Sequence, residues 1–247
     1  MSSIITSNWI LHKTSSDILE EKYGVFDIYS KDLNGHDNNL VLIAGFSEGS
    51  GIASRDVLNK ELDNIANQYK KVYVIILQPF KELQKQNDKI DSERKVSIPI
   101  DHPEYRKEQW NNDIHMKNEL ASVVDKIIRA NNIDNVHLIG KSAGGGLAMN
   151  IVSKSNIYKK LYLAVPAHPL FCESLYALGD RLNDLSVRIA WNYNDEFNLY
   201  NIISNKQMSY YENILIELKK KYPNFDYKQA LFSPGNFHEV NPGLLYL

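Results

Sequence analysis

Ser142 lies in Gly140-Lys141-Ser142-Ala143-Gly144, after the apolar run Val136-His137-Leu138-Ile139 and before Gly145-Gly146-Leu147-Ala148-Met149. That order predicts a strand, a sharp turn and a helix. A serine at a G-x-S-x-G turn in this context presents its hydroxyl as a nucleophile. The hydroxyl needs a base, and the base needs a group that orients it. Two later positions meet those needs. Asp195 follows Val187-Arg188-Ile189-Ala190-Trp191, just past the end of an apolar run, and His238 lies in Pro234-Gly235-Asn236-Phe237-His238, after the last one. Glu196 competes with Asp195. His168, in Pro166-Ala167-His168-Pro169, competes with His238, while His12, His36 and His115 read as surface histidines.

The glycine-rich stretches also admit other readings. Gly140-Lys141-Ser142 resembles the tail of a phosphate-binding loop, but the first glycine of that motif falls on Asn135 and its loop positions fall on Val136-His137-Leu138-Ile139. An extended strand cannot cradle a phosphate with its N–H groups. Gly45-Phe46-Ser47-Glu48-Gly49-Ser50-Gly51 has the spacing of the cofactor turn of short-chain dehydrogenases, a nucleotide-binding alternative. Against it, the motif comes late, the next strand ends in Gln78 rather than an acid, and no tyrosine has a lysine four residues on. A third alternative makes Ser142 only a helix N-cap in a glycine-rich turn built for packing.

These residues need elements to position them. Val25–Tyr29 alternates like a half-exposed strand, and Asp32-Leu33-Asn34-Gly35 reads as a turn. Leu40–Ala44, Val72–Leu77, Val136–Ile139, Leu161–Val165 and Val187–Trp191 read as strands covered on both faces, with Tyr227–Phe232 a weaker last strand. Helical patterns fall at about Ser54–Tyr69, Asp113–Ala130, Ala143–Ser153 and Gln207–Lys221, with a shorter one at Glu173–Asp184. In the second, Ile114, Leu120, Val123, Val124, Ile127 and Ile128 share a face. The alternation predicts a three-layer α/β/α sandwich around a mostly parallel sheet of about eight strands, in a single domain over 1–247. Residues 1–39 read as an N-terminal β-hairpin extension, and the polar stretch 79–112 as an insertion or lid loop. An open α/β sheet collects its site at the C-terminal ends of its strands, so Ser142, Asp195 and His238 are expected at one edge.

The chain order Ser, Asp, His and the G-x-S-x-G turn resemble the α/β-hydrolase superfamily, over at least Leu40 to the C-terminus. The resemblance implies Ser142 as nucleophile, Asp195 as acid and His238 as base. It implies an oxyanion hole from the N–H groups of Ala143 and Phe46, although Ala44-Gly45 stands where many members have His-Gly. It implies a serine esterase or thioesterase without a large cap, needing no cofactor and acting on a small ester or acyl substrate. Phe46, Pro169, Leu170 and Phe171 are candidates for an apolar acyl pocket. A peptidase and a non-catalytic binding protein of the same fold are the alternatives.

Composition bounds the rest. A net charge of −2 gives no general attraction to nucleic acid or anionic membranes. Lys219-Lys220-Lys221 ends a helical pattern, where cations complement the helix dipole. One cysteine, Cys172, cannot build a disulfide framework within the chain. No apolar stretch has the length of a membrane span, and no secretory signal is evident at Met1–Lys13, so a cytoplasmic setting is expected. Asp101-His102 with Glu104 is too sparse a set for a metal site, and none is assigned.

Overall fold

A computed structural model describes residues 9–13, 26–43, 64–77, 121–122, 124–166, 170–192, 205–232 and 242–247. Eight strands form one sheet: β1 (Ile10–Lys13), β2 (Phe26–Asp32), β3 (Asn39–Ile43), β4 (Lys71–Leu77), β5 (Val136–Lys141), β6 (Tyr158–Ala164), β7 (Ser186–Asn192) and β8 (Asp226–Phe232), in spatial order β1-β2-β4-β3-β5-β6-β7-β8. β1 pairs antiparallel with β2, and β2 antiparallel with β4. Every other pair is parallel. The switch in direction falls early, where Val25–Tyr29 reads as a half-exposed, alternating segment.

The continuous apolar runs become strands because both sheet faces are covered. Successive residues point to opposite faces. Val41, Ile43, Leu138, Leu161, Leu163, Val187, Ile189 and Trp191 therefore enter one core. Leu40, Leu42, Val72, Val74, Ile139, Tyr162 and Ala190 enter the other. Three helices with complete bounds follow in the chain: α1 (Ala143–Val152), α2 (Leu170–Ala177) and α3 (Asn205–Lys221). Leu147, Ala148 and Ile151 of α1 cover the first face, as do Leu175 of α2 and Tyr211, Ile214, Leu215 and Leu218 of α3. Val124, Ile127 and Ile128, from helical residues 124–130, join them. The second face is closed by Ile65 and Tyr69 and by Leu244 and Leu245 of a short 3-10 turn, Pro242–Tyr246. No helix among the described residues is long and apolar enough to cross a membrane.

Several boundaries differ from the sequence reading, among them β2, which runs on to Asp32, and β6, which starts at Tyr158, and three of the differences have a local cause. The helix expected over Glu173–Asp184 is two pieces, α2 and a 3-10 turn at Gly179–Asn183, because Gly179 adopts φ 54, outside right-handed helical space. β5 runs on through Gly140 and Lys141 rather than ending at Ile139, because Gly140 pairs with Ile43 and Leu163 on its two sides and Lys141 pairs with Ala164. β6 stops at Ala164 because Val165 turns into left-handed space at φ 43. A β-branched residue rarely takes that conformation. It is held there while its N–H donates to the Ala190 carbonyl at 2.8 Å and its side chain is buried.

Candidate active site

β5 lies between β3 and β6, and Ser142 is the residue that leaves its C-terminal end. Its backbone sits at φ 52, ψ −123, a combination that reverses the chain between strand and helix in one residue. Its N–H donates to the Ala164 carbonyl at 3.0 Å, and its own carbonyl accepts from Gly145 at 2.9 Å. The serine is thus clamped by main chain on both sides. Its side chain makes no capping hydrogen bond to α1, which removes the reading of Ser142 as an ordinary N-cap. The residue is half-buried, so its hydroxyl is held at the sheet edge without being sealed in the core.

The glycines around it are explained by close approach. A Cβ on Gly140 would lie 2.6 Å from the Ala148 Cβ, 2.6 Å from the Gly144 carbonyl oxygen and 2.7 Å from the Gly145 Cα. A Cβ on Gly145 would come within 3.0 Å of the Pro166 Cβ. α1 is therefore seated directly beneath the turn, and its glycine-rich first turn is what permits that seat. The phosphate-loop alternative fails here, because the residues that would form the loop are the strand β5.

Ala143 is the first residue of α1. The first N–H groups of a helix have no acceptor within it, and the helix dipole favours negative charge at that end. The N–H next to Ser142 is thus of the kind that can receive an oxyanion. Lys141, just before the serine, is buried at 3% exposure and engaged in an interaction of its own. Phe46, Asp195, His238, the competing residues Glu196 and His168, Pro169, and the stretches 45–51 and 79–112 lie outside the described residues. Leu170 and Phe171 begin α2. Among the described residues, no group of three His, Cys, Asp or Glu side chains could hold a metal ion.

The support supplied by β6 was not legible in the sequence. Ala164, Val165 and Pro166 read simply as the end of an apolar run, yet they hold the Ser142 N–H and pack on Gly145. The proline after an apolar strand was the one available signal.

A second polar group lies at the opposite sheet edge, around His137. The Tyr69 hydroxyl lies 3.0 Å from His137 Nδ1 and 3.3 Å from the Tyr162 hydroxyl. Burial, reinforced by the nearby Lys160 charge, lowers the His137 pKa to about 4, so the imidazole is neutral at pH 7. Burial also raises the Tyr69 hydroxyl well above the ordinary phenol range.

Comparison with solved structures gives the architecture its place. An α/β serine hydrolase homologue from Coxiella burnetii superposes with a TM-score of 0.52 over 99% of this chain and 95% of that one, at 14% identity. A predicted CIB-like hydrolase from Thermoplasma acidophilum matches with a TM-score of 0.50 over 96% and 94% of the two chains, again at 14% identity. This is the α/β-hydrolase fold. A dienelactone-hydrolase-like promiscuous phosphotriesterase from metagenomic libraries shares it, with a TM-score of 0.51 over 91% of this chain and 81% of that one, at 9% identity. No protein-family model and no curated protein matches the sequence. At such identities the α/β-hydrolase fold is what is shared, and activity has to be argued from the site.

Proposed function

We propose that the chain is a serine hydrolase that cleaves a carboxylic ester or thioester through an acyl-enzyme. The observation that carries this reading is Ser142 at φ 52, placed between the end of β5 and the start of α1 with its hydroxyl free of any capping role. In the proposed reaction, His238 accepts the Ser142 proton as Oγ bonds to the substrate carbonyl carbon. Asp195 fixes the imidazole tautomer and stabilises the imidazolium. The N–H groups of Ala143 and Phe46 receive the oxyanion. The protonated His238 returns its proton to the leaving group as the ester or thioester bond breaks. Water, deprotonated by the same base, then releases the acid and frees Ser142.

Chain connectivity supports these partners. Asp195 is three residues beyond the end of β7 and Phe46 three beyond the end of β3. Each can therefore lie no more than roughly 11 Å from its strand end. His238 follows β8 by six residues, a reach of about 20 Å. Adjacent strands are about 4.8 Å apart, so the ends of β3, β7 and β8 are all within those reaches of β5.

A fluorophosphonate probe tests the proposal. The folded chain should label at one serine, Ser142→Ala should abolish labelling, and His238→Ala should slow it severely. Labelling that persists in Ser142→Ala sinks the assignment. Folded wild-type protein that never labels points to a binding protein of the same fold. With a hydrolysed ester in hand, Ser142→Ala should lower kcat by about 10⁴-fold or more.

A further inference from the structure

A cavity of about 400 Å³ opens at the sheet edge opposite Ser142, among residues that precede β3 and β4 and residues early in β5 and β6. Ser142 is five residue steps along the chain from His137, about 16 Å at strand rise, so this cavity takes no part in chemistry at the serine. Its size falls within the ordinary range of small-molecule sites.

The chemistry of its walls is specific. His137 and Lys160 are directly paired across β5 and β6, and both line the cavity. The Lys160 ammonium sits 5.5 Å from the centre of the Tyr162 ring. No salt bridge among the described residues engages it, and its charge reaches Asp226 only as the smallest of the influences that lower that carboxyl. Tyr162 and Tyr69, joined through their hydroxyls, tie His137 Nδ1 into a fixed chain. The wall thus holds one half-buried cation beside a rigid neutral imidazole. The rest of the lining is one carboxylate, the exposed Asp37, with the exposed His36 next to it, the apolar Leu245, and three carboxamides, Asn38, Asn67 and Gln68. Carboxamides both donate and accept hydrogen bonds.

A simple anion would satisfy Lys160 and be repelled by Asp37, and a phosphate dianion more so. A ligand carrying one charge of each sign leaves neither group unmatched. We propose that this cavity is a binding site for a free polar α-amino acid, its carboxylate on Lys160, its ammonium on Asp37 and its side chain among Asn38, Asn67 and Gln68. The site is separate from the proposed hydrolytic centre and stands or falls independently of it.

The test is an NMR titration of the full chain, reading the His137 ring signals. L-Glutamine is added to one sample and glutaramate, the same skeleton without the α-ammonium, to another. L-Glutamine should move the His137 signals saturably, and glutaramate should bind at least about tenfold more weakly, since a charge-assisted hydrogen bond is worth a factor of that order or more. Asp37→Asn, at an exposed turn where folding is not at stake, should erase the difference between the two compounds. Lys160→Met should weaken L-glutamine about tenfold or more. No saturable movement with L-glutamine, or equal affinity for both compounds in wild type, overturns the proposal. Fluorophosphonate labelling of Ser142, followed on the same samples, reports on the hydrolase reading alone.

Discussion

The Ser142 N–H donates to the Ala164 carbonyl at 3.0 Å, so the turn at the end of β5 is tied to the last residue of β6. The residue after β6, Val165, turns away in left-handed space, and Pro166 behind it packs on Gly145 at the base of α1. The end of β6 therefore holds both the serine and the start of the helix that follows it.

Gly140→Ala should destabilise the protein by about 1–3 kcal/mol, because two of the three atoms its Cβ meets are main chain and cannot swing aside. Gly145→Ala should cost less, since its nearest neighbour is a side-chain carbon at 3.0 Å. Urea denaturation of the two variants gives the comparison. Equal midpoints would mean that α1 is not seated under the turn as described.

At Val165 the usual order of truncations should invert. Val165→Ala removes buried carbon and keeps a Cβ in left-handed backbone, whereas Val165→Gly removes one carbon more and releases strain of about 1–2 kcal/mol. The glycine variant should therefore be at least as stable as the alanine variant in thermal or urea unfolding. At an ordinary buried valine, glycine is the worse replacement.

His137 predicts an acid limb in stability. Its folded pKa, about 4, is below its ordinary value of 6.5. Above pH 6.5 it is neutral both folded and unfolded and contributes no pH dependence. Between pH 6.5 and about 4 the unfolded chain gains a proton that the folded chain refuses, so stability falls as pH falls. Lys160, Tyr69 and Tyr162 lie closest to it, and the exposed His36 and Asp37 line the same cavity. His137→Gln should flatten this limb in urea titrations run from pH 7 to 4.

A further loss should appear at lower pH. A hydrogen bond from Arg188 Nη2, 2.8 Å from Asp226 Oδ2, holds the Asp226 carboxyl below its ordinary value of 3.8. Its contribution is complete above that value and is lost as pH falls through the lower folded value. Asp226→Asn should cost about 1 kcal/mol at pH 7, a modest loss, because Asp226 is half-exposed and Arg188 keeps its bonds to the Leu247 and Val187 carbonyl oxygens. The variant should also show a shallower pH dependence below pH 4, by the contribution of this one carboxylate.

The sequence by itself determined the layered α/β architecture, because short β-branched apolar runs such as Leu40, Val41, Leu42 and Ile43 alternate with helical patterns, as strands covered on both faces do. It also determined the serine turn, since Gly140 and Gly145 stand where a side chain would collide with α1. Local pattern could not determine strand order, which depends on pairings as distant as Ile43 with Gly140. It also could not see that Val165 would be forced into left-handed space, because valine favours strands locally and only the hydrogen bond to Ala190 and the packing of Pro166 hold it otherwise. The cavity around His137 was hidden for the same reason. Its walls come from segments as far apart as Asp37 and Lys160, and only the tertiary fold brings those charges to one edge.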